Sequence, residues 1–168
     1  WIKRRIFTKK AWLCVHSETA LLAGMLLGLT SFWNGAAVIG GLLILMGFAV
    51  FSDGKLDYLI LAVTSVIFSV LQTKIFIWGN AVSPSFYWGF LSENKSITGV
   101  LWYLIQMSGV FFVGAVLIAL FLRERRQRAA LVSFFFPLIF AFSMSLTPDI
   151  AVNHKYIMIA YAFLAIFW

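Results

Sequence analysis

The sequence TPDIAVNHK, residues 147–155, places several polar side chains in a short connection between two apolar stretches. Asn153, His154 and Lys155 are consecutive and precede an apolar run, so we expect them to open a helix. The N–H groups at a helix start attract anions, lysine adds a point charge, and asparagine and histidine add directional hydrogen-bond donors. The pattern therefore predicts a seat for a lipid phosphate, with Asp149 beside it.

A second polar group, LQTK, lies at the predicted outer end of another helix and contains Gln72 and Lys74. Residues two apart do not share a helical face, but both can line a cavity where the helix ends. We therefore add Gln72 and Lys74 to the candidate substrate-binding residues.

Both groups also fit a purely structural interpretation. In TPDIAVNHK the proline ends one helix, Asp149 caps a turn and Lys155 extends its charge to the membrane interface, while LQTK anchors a helix end. The other polar residues form no catalytic set: Cys14 is the single cysteine, and His16 and Glu18 lack a third metal ligand. We therefore assign no metal site, and the catalytic residue and any cofactor stay unidentified.

The composition is typical of an integral membrane protein. Of the 168 residues, 62% are hydrophobic, 18% are aromatic and only 11% are charged, and the mean hydropathy is +0.97. The formal net charge of +7 comes from Lys and Arg residues that cluster beside hydrophobic runs, which is the pattern that orients helices in a bilayer. We therefore expect membrane lipids as partners and no nucleic acid.

The hydropathy pattern predicts an all-α polytopic membrane protein with about six transmembrane helices. Residues 19–51 carry no charge, but a helix of this length would measure roughly 50 Å, against a hydrocarbon core of about 30 Å. The sequence SFWNGAA offers a break. We therefore predict one helix ending near Trp33, a turn near Asn34 and a second helix that runs to Phe51.

The remaining predicted elements follow from the positions of the charged residues. They are a polar turn at 52–57, a third helix over 58–71, a single long crossing over 97–122, a fifth helix over 129–146, and a truncated sixth helix after Lys155. Trp78, Tyr87 and Trp88 indicate a segment that lies against the membrane interface. We interpret residues 1–168 as a single membrane domain and as a fragment of a larger polytopic protein.

The positive-inside rule orients these helices. When the cluster from Arg123 to Arg128 is placed in the cytoplasm, ten of the thirteen Lys and Arg residues fall inside. The three that fall outside are Lys74, Lys95 and Lys155. The segment from Thr147 to Lys155 is then extracytoplasmic, on the same side as the LQTK group.

Four stretches together carry a family resemblance: GMLLGLTSFWNGAAVIGGLLIL, LQTKIFIWG, YWGFL and LTPDIAVNHKYIMI. They resemble the middle and later membrane helices of bacterial polytopic glycosyltransferases of the GT-C type. The resemblance implies an enzyme of the bacterial plasma membrane that transfers a sugar from a polyprenyl-phosphate donor to an acceptor on the extracytoplasmic face. The acidic catalytic residue of that family belongs to a first outer loop, which would precede Trp1. We therefore expect the fragment alone to be inactive.

Two other classes of protein stay open, a membrane transporter or lipid flippase component and a non-catalytic membrane subunit. Transporters usually place their functional polar groups near the bilayer midplane on interrupted helices. The predicted helix interiors hold little more than Gln106 and scattered serine and threonine, so the sequence favours a site at the interface. Paired broken helices would favour a transporter.

Overall fold

The structure, a computed structural model, describes residues 8–76 and 84–168, and helices make up most of both ranges. The predicted all-α fold class is confirmed, since the described residues are mostly helical. The chain divides into two compact units, residues 1–79 and 80–168. The assignment of residues 1–168 to a single membrane domain stays a prediction.

The described part of the first unit, residues 8–76, contains three α-helices, of which the first is extended by a 3-10 turn. Its described elements are a 3-10 helix at Lys9–Trp12, α1 (Ser17–Leu29) with the 3-10 turn Thr30–Phe32, α2 (Gly35–Phe51) and α3 (Lys55–Phe76). The helices α1 and α3 make the main contact of this unit.

The second unit contains shorter helices and one pair of two-residue strands, which pair antiparallel with Ser85 opposite Ser145. Its core is formed where α6 and α7 pack against α8. Its described elements are β1 (Ser85–Phe86), α4 (Ile97–Ser108), α5 (Val110–Phe121), α6 (Arg125–Phe134), α7 (Phe136–Ser143), β2 (Met144–Ser145), a 3-10 helix (Ile150–Asn153), α8 (His154–Leu164) and a 3-10 turn (Ala165–Phe167).

The predicted break near Asn34 is confirmed. Asn34 has extended backbone angles, and its side-chain oxygen accepts hydrogen bonds from the N–H groups of Ala36 at 3.1 Å and Ala37 at 3.3 Å. This is the N-cap geometry for which asparagine is preferred, because the side chain satisfies N–H groups that have no partner within the helix. Asn34 therefore starts α2.

Small residues four apart allow α1 to approach α3 closely. Ala20, Gly24 and Gly28 are all buried. A Cβ atom on Gly24 would lie 2.6 Å from the carbonyl oxygen of Leu61, and one on Gly28 would lie 2.6 Å from that of Ser65. The fully buried Ser65 hydroxyl donates to the Gly24 carbonyl at 3.0 Å. The backbone of α1 thus packs directly against side chains of α3, as small-residue patterns in apolar helices permit.

The third helix is longer than predicted, because α3 runs from Lys55 to Phe76 rather than over 58–71. The Lys55 side chain is buried and donates to the carbonyl oxygens of Ala49 and, at 2.9 Å, Ser52. These carbonyl groups lie at the end of α2, where a cation is favourable. Lys55 and Asp57, two charged residues of the predicted turn, therefore belong to α3.

The stretch 97–122, predicted as one long helix, is divided in the structure, and whether it forms a single crossing stays a prediction. The helices α4 and α5 meet at Gly109 and are bent by 109°. Gly109 has a φ of 59° and a ψ of −135°, a combination that is essentially restricted to glycine. The length and apolarity of the stretch were visible in the sequence, whereas this backbone conformation was not.

The predicted fifth helix over 129–146 is also divided. Helix α6 already begins at Arg125, and Phe135 separates it from α7. Pro137 stands in the first turn of α7, where its missing N–H group is tolerated but cannot continue α6. Helix α7 ends at Ser143, because the chain then becomes extended and pairs with β1.

Fewer helices than the predicted six meet the length and composition expected of a membrane span. Within the described ranges, α3 and the helical run Ile150–Phe167 qualify, and the bent pair of α4 and α5 is a third if it forms one span. Helix α1 with its 3-10 turn, and α2, are apolar but shorter.

Candidate functional site

The segment before α8 is held in place by its own polar groups. The Ser145 hydroxyl donates to the carbonyl of Thr147 at 2.7 Å, and the Thr147 hydroxyl donates to the carbonyl of Asp149 at 2.8 Å. The Asp149 carboxylate accepts from the N–H of Ala151 at 2.9 Å. Asp149 is thus the N-cap of the 3-10 helix that leads into α8, as the structural interpretation of this residue predicted.

Asn153 does not present hydrogen-bond donors to a phosphate, and we correct its role. The residue is only 2% exposed, and its side-chain nitrogen donates to the carbonyl oxygens of Ala141 at 2.9 Å and Met144 at 2.6 Å. An amide nitrogen carries two hydrogens, so both are in use. Asn153 therefore ties the start of α8 to the end of α7 and positions the residues that follow it.

The backbone around His154 also differs from the prediction. The helical run begins at Ile150 with Asp149 as its cap, and the N–H of His154 already donates to the carbonyl groups of Ala151 and Val152. The N–H groups that lack a partner at a helix start therefore lie about one turn earlier than predicted. Any phosphate seat at residues 153–155 has to depend on side chains.

Of the three consecutive residues 153–155, His154 and Lys155 have exposed side chains. The Nδ1 atom of His154 lies 2.8 Å from the carbonyl oxygen of Ala151. Because a carbonyl oxygen only accepts, Nδ1 carries the hydrogen, and Nε2 donates only when the ring is protonated. Among the described residues of the second unit, the Lys155 ammonium group has no hydrogen-bond partner and is available to an anion.

Gln72 and Lys74 lie near the end of α3 in the first unit. The Gln72 side-chain oxygen accepts from the Ser31 hydroxyl at 2.7 Å, which links α3 to the 3-10 turn after α1. Lys74 is exposed in the last helical turn, where the helix dipole favours a cation. Residues 149–155 belong to the second unit, so a shared site for the two groups stays a prediction.

A carboxylate at the start of α3 has a structural role. Asp57 accepts hydrogen bonds from the N–H groups of Val15 and His16, both at 3.1 Å, and from the Cys14 thiol at 3.2 Å. The hydrogen bond to Asp57 raises the pKa of the exposed Cys14 thiol, because it stabilises the protonated form. In the described ranges, no group of three or more His, Cys, Asp or Glu side chains is placed to hold a metal ion.

Lys95 is a polar residue whose surroundings the sequence reasoning missed. Its ammonium group donates to the carbonyl of Phe90 at 2.8 Å, lies 3.3 Å from the Tyr87 hydroxyl, and stands 4.7 Å from the centre of the Tyr87 ring. Gly89 and Phe90 both have positive φ values, 87° and 49°, which turn the chain around the lysine. The sequence signal was the glycine in YWGF, Gly89, which lies six residues before Lys95. Trp78, predicted for the same interfacial segment, lies outside the described residues.

An apolar cavity of about 410 Å³ lies in the second unit and is open to the surface, since the lining residues Ile97, Leu120 and Ile139 are more than half exposed. It is lined by side chains of α4, α5 and α7, together with Trp88 and Phe135. All of the lining residues are aliphatic or aromatic, and the indole N–H of Trp88 is directed to the carbonyl of Lys95 at 2.8 Å. The cavity therefore offers hydrocarbon contact and no hydrogen-bonding group that lacks a partner.

Comparisons of this chain with models of protein families, with curated proteins and with solved structures give no match. The resemblance to polytopic glycosyltransferases of the GT-C type therefore stays an expectation from the sequence, and the function has to be argued from the residues themselves.

Proposed function

We propose that this chain is part of an integral membrane glycosyltransferase that transfers a sugar from a polyprenyl-phosphate donor on the extracytoplasmic face. The observation that carries the proposal is the exposed ammonium group of Lys155, which has no partner among the described residues of its unit and stands near the start of a helical run apolar enough to cross a membrane. An anionic lipid headgroup is the ligand that such a position favours.

The proposed topology places residues 123–128 in the cytoplasm of a bacterium and residues 147–155 outside the plasma membrane. Helices α6 and α7 lie between these two segments, and the proposed topology requires that they cross the membrane together although Phe135 separates them. The relative sides of Arg125 and Lys155 therefore do not depend on whether the bent pair of α4 and α5 crosses the membrane.

The chemistry of transfer gives Lys155 its proposed role. When a sugar leaves a polyprenyl phosphate, negative charge increases on the phosphate, and a cation already in place stabilises that charge. His154 adds a donor at Nε2 when its ring is protonated, and Asn153 positions both residues through the carbonyls of α7. We assign no catalytic base, since the Asp149 carboxylate is engaged as a cap.

One observation favours a second candidate, a transporter or lipid flippase component. Transporters bind solutes at interrupted helices, and α4 and α5 are interrupted at Gly109. The ring of Tyr161 lies 5.3 Å from that of Phe111, two residues after the break, and its buried hydroxyl has no hydrogen-bond partner among the described residues. We prefer the transferase because the exposed cation lies at a helix start and not at this break.

The test is the substitution Lys155→Ala in the purified full-length protein, of which this chain is a part, in nanodiscs. We expect binding of undecaprenyl phosphate and transfer of labelled sugar from polyprenyl-phosphate donors to fall roughly ten- to a hundredfold, since a charge-assisted contact contributes about 1.5–3 kcal/mol. Lys155→Arg should retain part of both.

The matched control is Lys10→Ala, which removes an exposed lysine from the first unit. Lys95 is unsuitable as a control because its ammonium group is held by Phe90 and Tyr87. Equal binding and transfer by the Lys155→Ala and Lys10→Ala variants would remove Lys155 from the site and leave residues 147–155 as a connection between helices.

A further inference from the structure

We propose that the cavity of the second unit binds the hydrocarbon chain of a single-chain amphiphile whose anionic head contacts Lys95. This site is separate from Lys155, and it does not depend on whether the protein transfers a sugar. The argument depends on the lining of the cavity, on the backbone that forms it, and on the charge beside one end of it.

The lining of the cavity determines the chemistry of its occupant. Apolar walls offer a water molecule none of the two to four polar partners that it needs, so this space favours an apolar occupant. A volume of about 410 Å³ corresponds to about fourteen groups of the size of water, each occupying about 30 Å³. A methylene group is of similar size. The cavity therefore accommodates a chain of roughly a dozen carbon atoms.

The cavity is formed by the backbone and is not a small packing defect. Helices α4 and α5 diverge by 109° at Gly109, in a conformation that favours glycine. Side chains on both helices, such as Leu104 and Phe112, line the space on either side of this bend, and Leu138 and Phe142 of α7 line it from a third direction. The bend at Gly109 thus separates two walls of the cavity.

Lys95 lies at the end of the cavity formed by Trp88 and the start of α4. The Trp88 indole, which lines the cavity, donates to the Lys95 carbonyl at 2.8 Å, and Ile97, two residues further on, also lines it. A Cβ atom built on Gly89 would lie 3.0 Å from both the Cδ atom of Lys95 and the Cγ2 atom of Val100. The lysine stem and this cavity-lining valine are therefore close neighbours.

The charge of Lys95 is not neutralised by the contacts around it. An ammonium group has three hydrogens, and the partners described for Lys95 are two neutral oxygens, those of Phe90 and Tyr87, and the face of the Tyr87 ring. No carboxylate among the described residues of the second unit forms an ion pair with it. One donor and the full charge thus stay available to an anion that lies beside a hydrocarbon chain.

The experiment uses a fourteen-carbon alkyl phosphate with a photoreactive diazirine near the end of its chain, and the matching uncharged alcohol. The purified protein is labelled in phosphatidylcholine nanodiscs, and the labelled residues are located by peptide mass spectrometry. We expect cavity residues such as Leu104 and Phe112 to be labelled, and the phosphate to label them about tenfold more efficiently than the alcohol, as one charge-assisted contact implies.

Substitution of Lys95 tests its contact with the anionic head group of the amphiphile. Lys95→Met retains the stem and removes the charge, so labelling by the phosphate should fall to the level of the alcohol, while Lys95→Arg should retain most of the preference. Lys10→Met, in the first unit, serves as the matched control and should change nothing. An unchanged preference for the phosphate in the Lys95→Met variant would overturn the role of Lys95.

Substitution of Ala119 tests the cavity. Ala119 lines the cavity, so Ala119→Phe should fill it and lower labelling by both probes about tenfold, whereas Ala162→Phe, on an exposed position of α8, should not. If the Ala119→Phe variant does not fold, the Lys95→Met comparison still decides the proposal. Labelling of residues outside the cavity only, or of none, would overturn it.

Competition distinguishes two sources of such an amphiphile. Undecaprenyl phosphate that displaces the probe would identify the cavity as a site for the carrier lipid, and lysophosphatidylglycerol that displaces it more effectively would identify an ordinary membrane lipid. Failure of both competitors would contradict the proposal. None of these outcomes depends on the transfer activity of the Lys155→Ala variant, so the two proposals can fail separately.

Discussion

The two units of this protein pack their helices in opposite ways. In the first unit, α1 presents Ala20, Gly24 and Gly28 to α3, and the contact is close enough for the Ser65 hydroxyl to reach a backbone carbonyl of α1. In the second unit, aromatic rings form many of the contacts, and the helices leave a cavity of about 410 Å³. Small residues permit close approach of two backbones. Large rings hold short helices further apart, and space for a ligand is left between them.

The glycine residues of the two units illustrate the same difference. A Cβ atom on Gly24 would meet a backbone oxygen at 2.6 Å, and backbone cannot move without displacing the helix. A Cβ atom on Gly114 would meet the ring of Trp168 at 2.2 Å, but a ring at the end of a side chain can rotate away. A Cβ atom on Gly35 would meet nothing within 4 Å.

The largest expected effect sharpens this comparison through three Gly→Ala substitutions. Gly24→Ala should lower the free energy of unfolding by about 3 kcal/mol or more, at the top of the range for overpacked cores, and Gly114→Ala by about 1 kcal/mol. Gly35→Ala should cost nothing. Equilibrium unfolding in mixed micelles measures all three. Equal losses at Gly24 and Gly114 would show that the two units respond alike to added volume.

The next effect concerns the buried amide of the second unit. Asn153→Leu retains the approximate volume but leaves the carbonyl oxygens of Ala141 and Met144 without this donor, so we expect a loss of about 1–3 kcal/mol in the free energy of unfolding. Asn34→Ala, which removes the exposed cap of α2 in the first unit, should cost about 1 kcal/mol. A smaller loss for Asn153→Leu than for Asn34→Ala would contradict the anchoring role of Asn153.

The smallest expected effect is at Tyr161. Its hydroxyl is buried and lies beside Ser108 but forms no well-formed hydrogen bond with a described residue, so Tyr161→Phe removes a group that contributes little to folding. We expect the free energy of unfolding to stay unchanged or to rise by up to about 1 kcal/mol. A loss of more than about 1 kcal/mol in the same micelle experiment would mean that the hydroxyl has a partner in the folded protein.

Features with a local cause were predictable from the sequence. Asn34 starts a helix because its own side chain caps the next turn, and the stretch before Tyr156 opens a helix because a proline and an aspartate precede an apolar run. The helical content follows from long apolar runs without charge. The signal in each case lies within a few residues, so no distant partner is needed to interpret it.

Features with a distant cause were not predictable. The sequence does not indicate that Asn153 is occupied, because its partners, the carbonyls of Ala141 and Met144, belong to the preceding helix and strand. Gly109 was visible as a glycine, but glycine is tolerated inside apolar helices as well as at breaks. Lys55 indicated a turn until its contacts with the end of α2 were known.

The sequence by itself determined that the chain is helical and strongly apolar, where α2 begins, and which polar residues stand near the start of the last helix. Only the tertiary structure decided which of those polar residues face outward. Lys155 is exposed and Asn153 is buried although they are two residues apart. The physical reason is that a helix directs successive side chains to different faces. The neighbouring helix covers one of these faces, and the polar side chains on that face form their hydrogen bonds inside the protein.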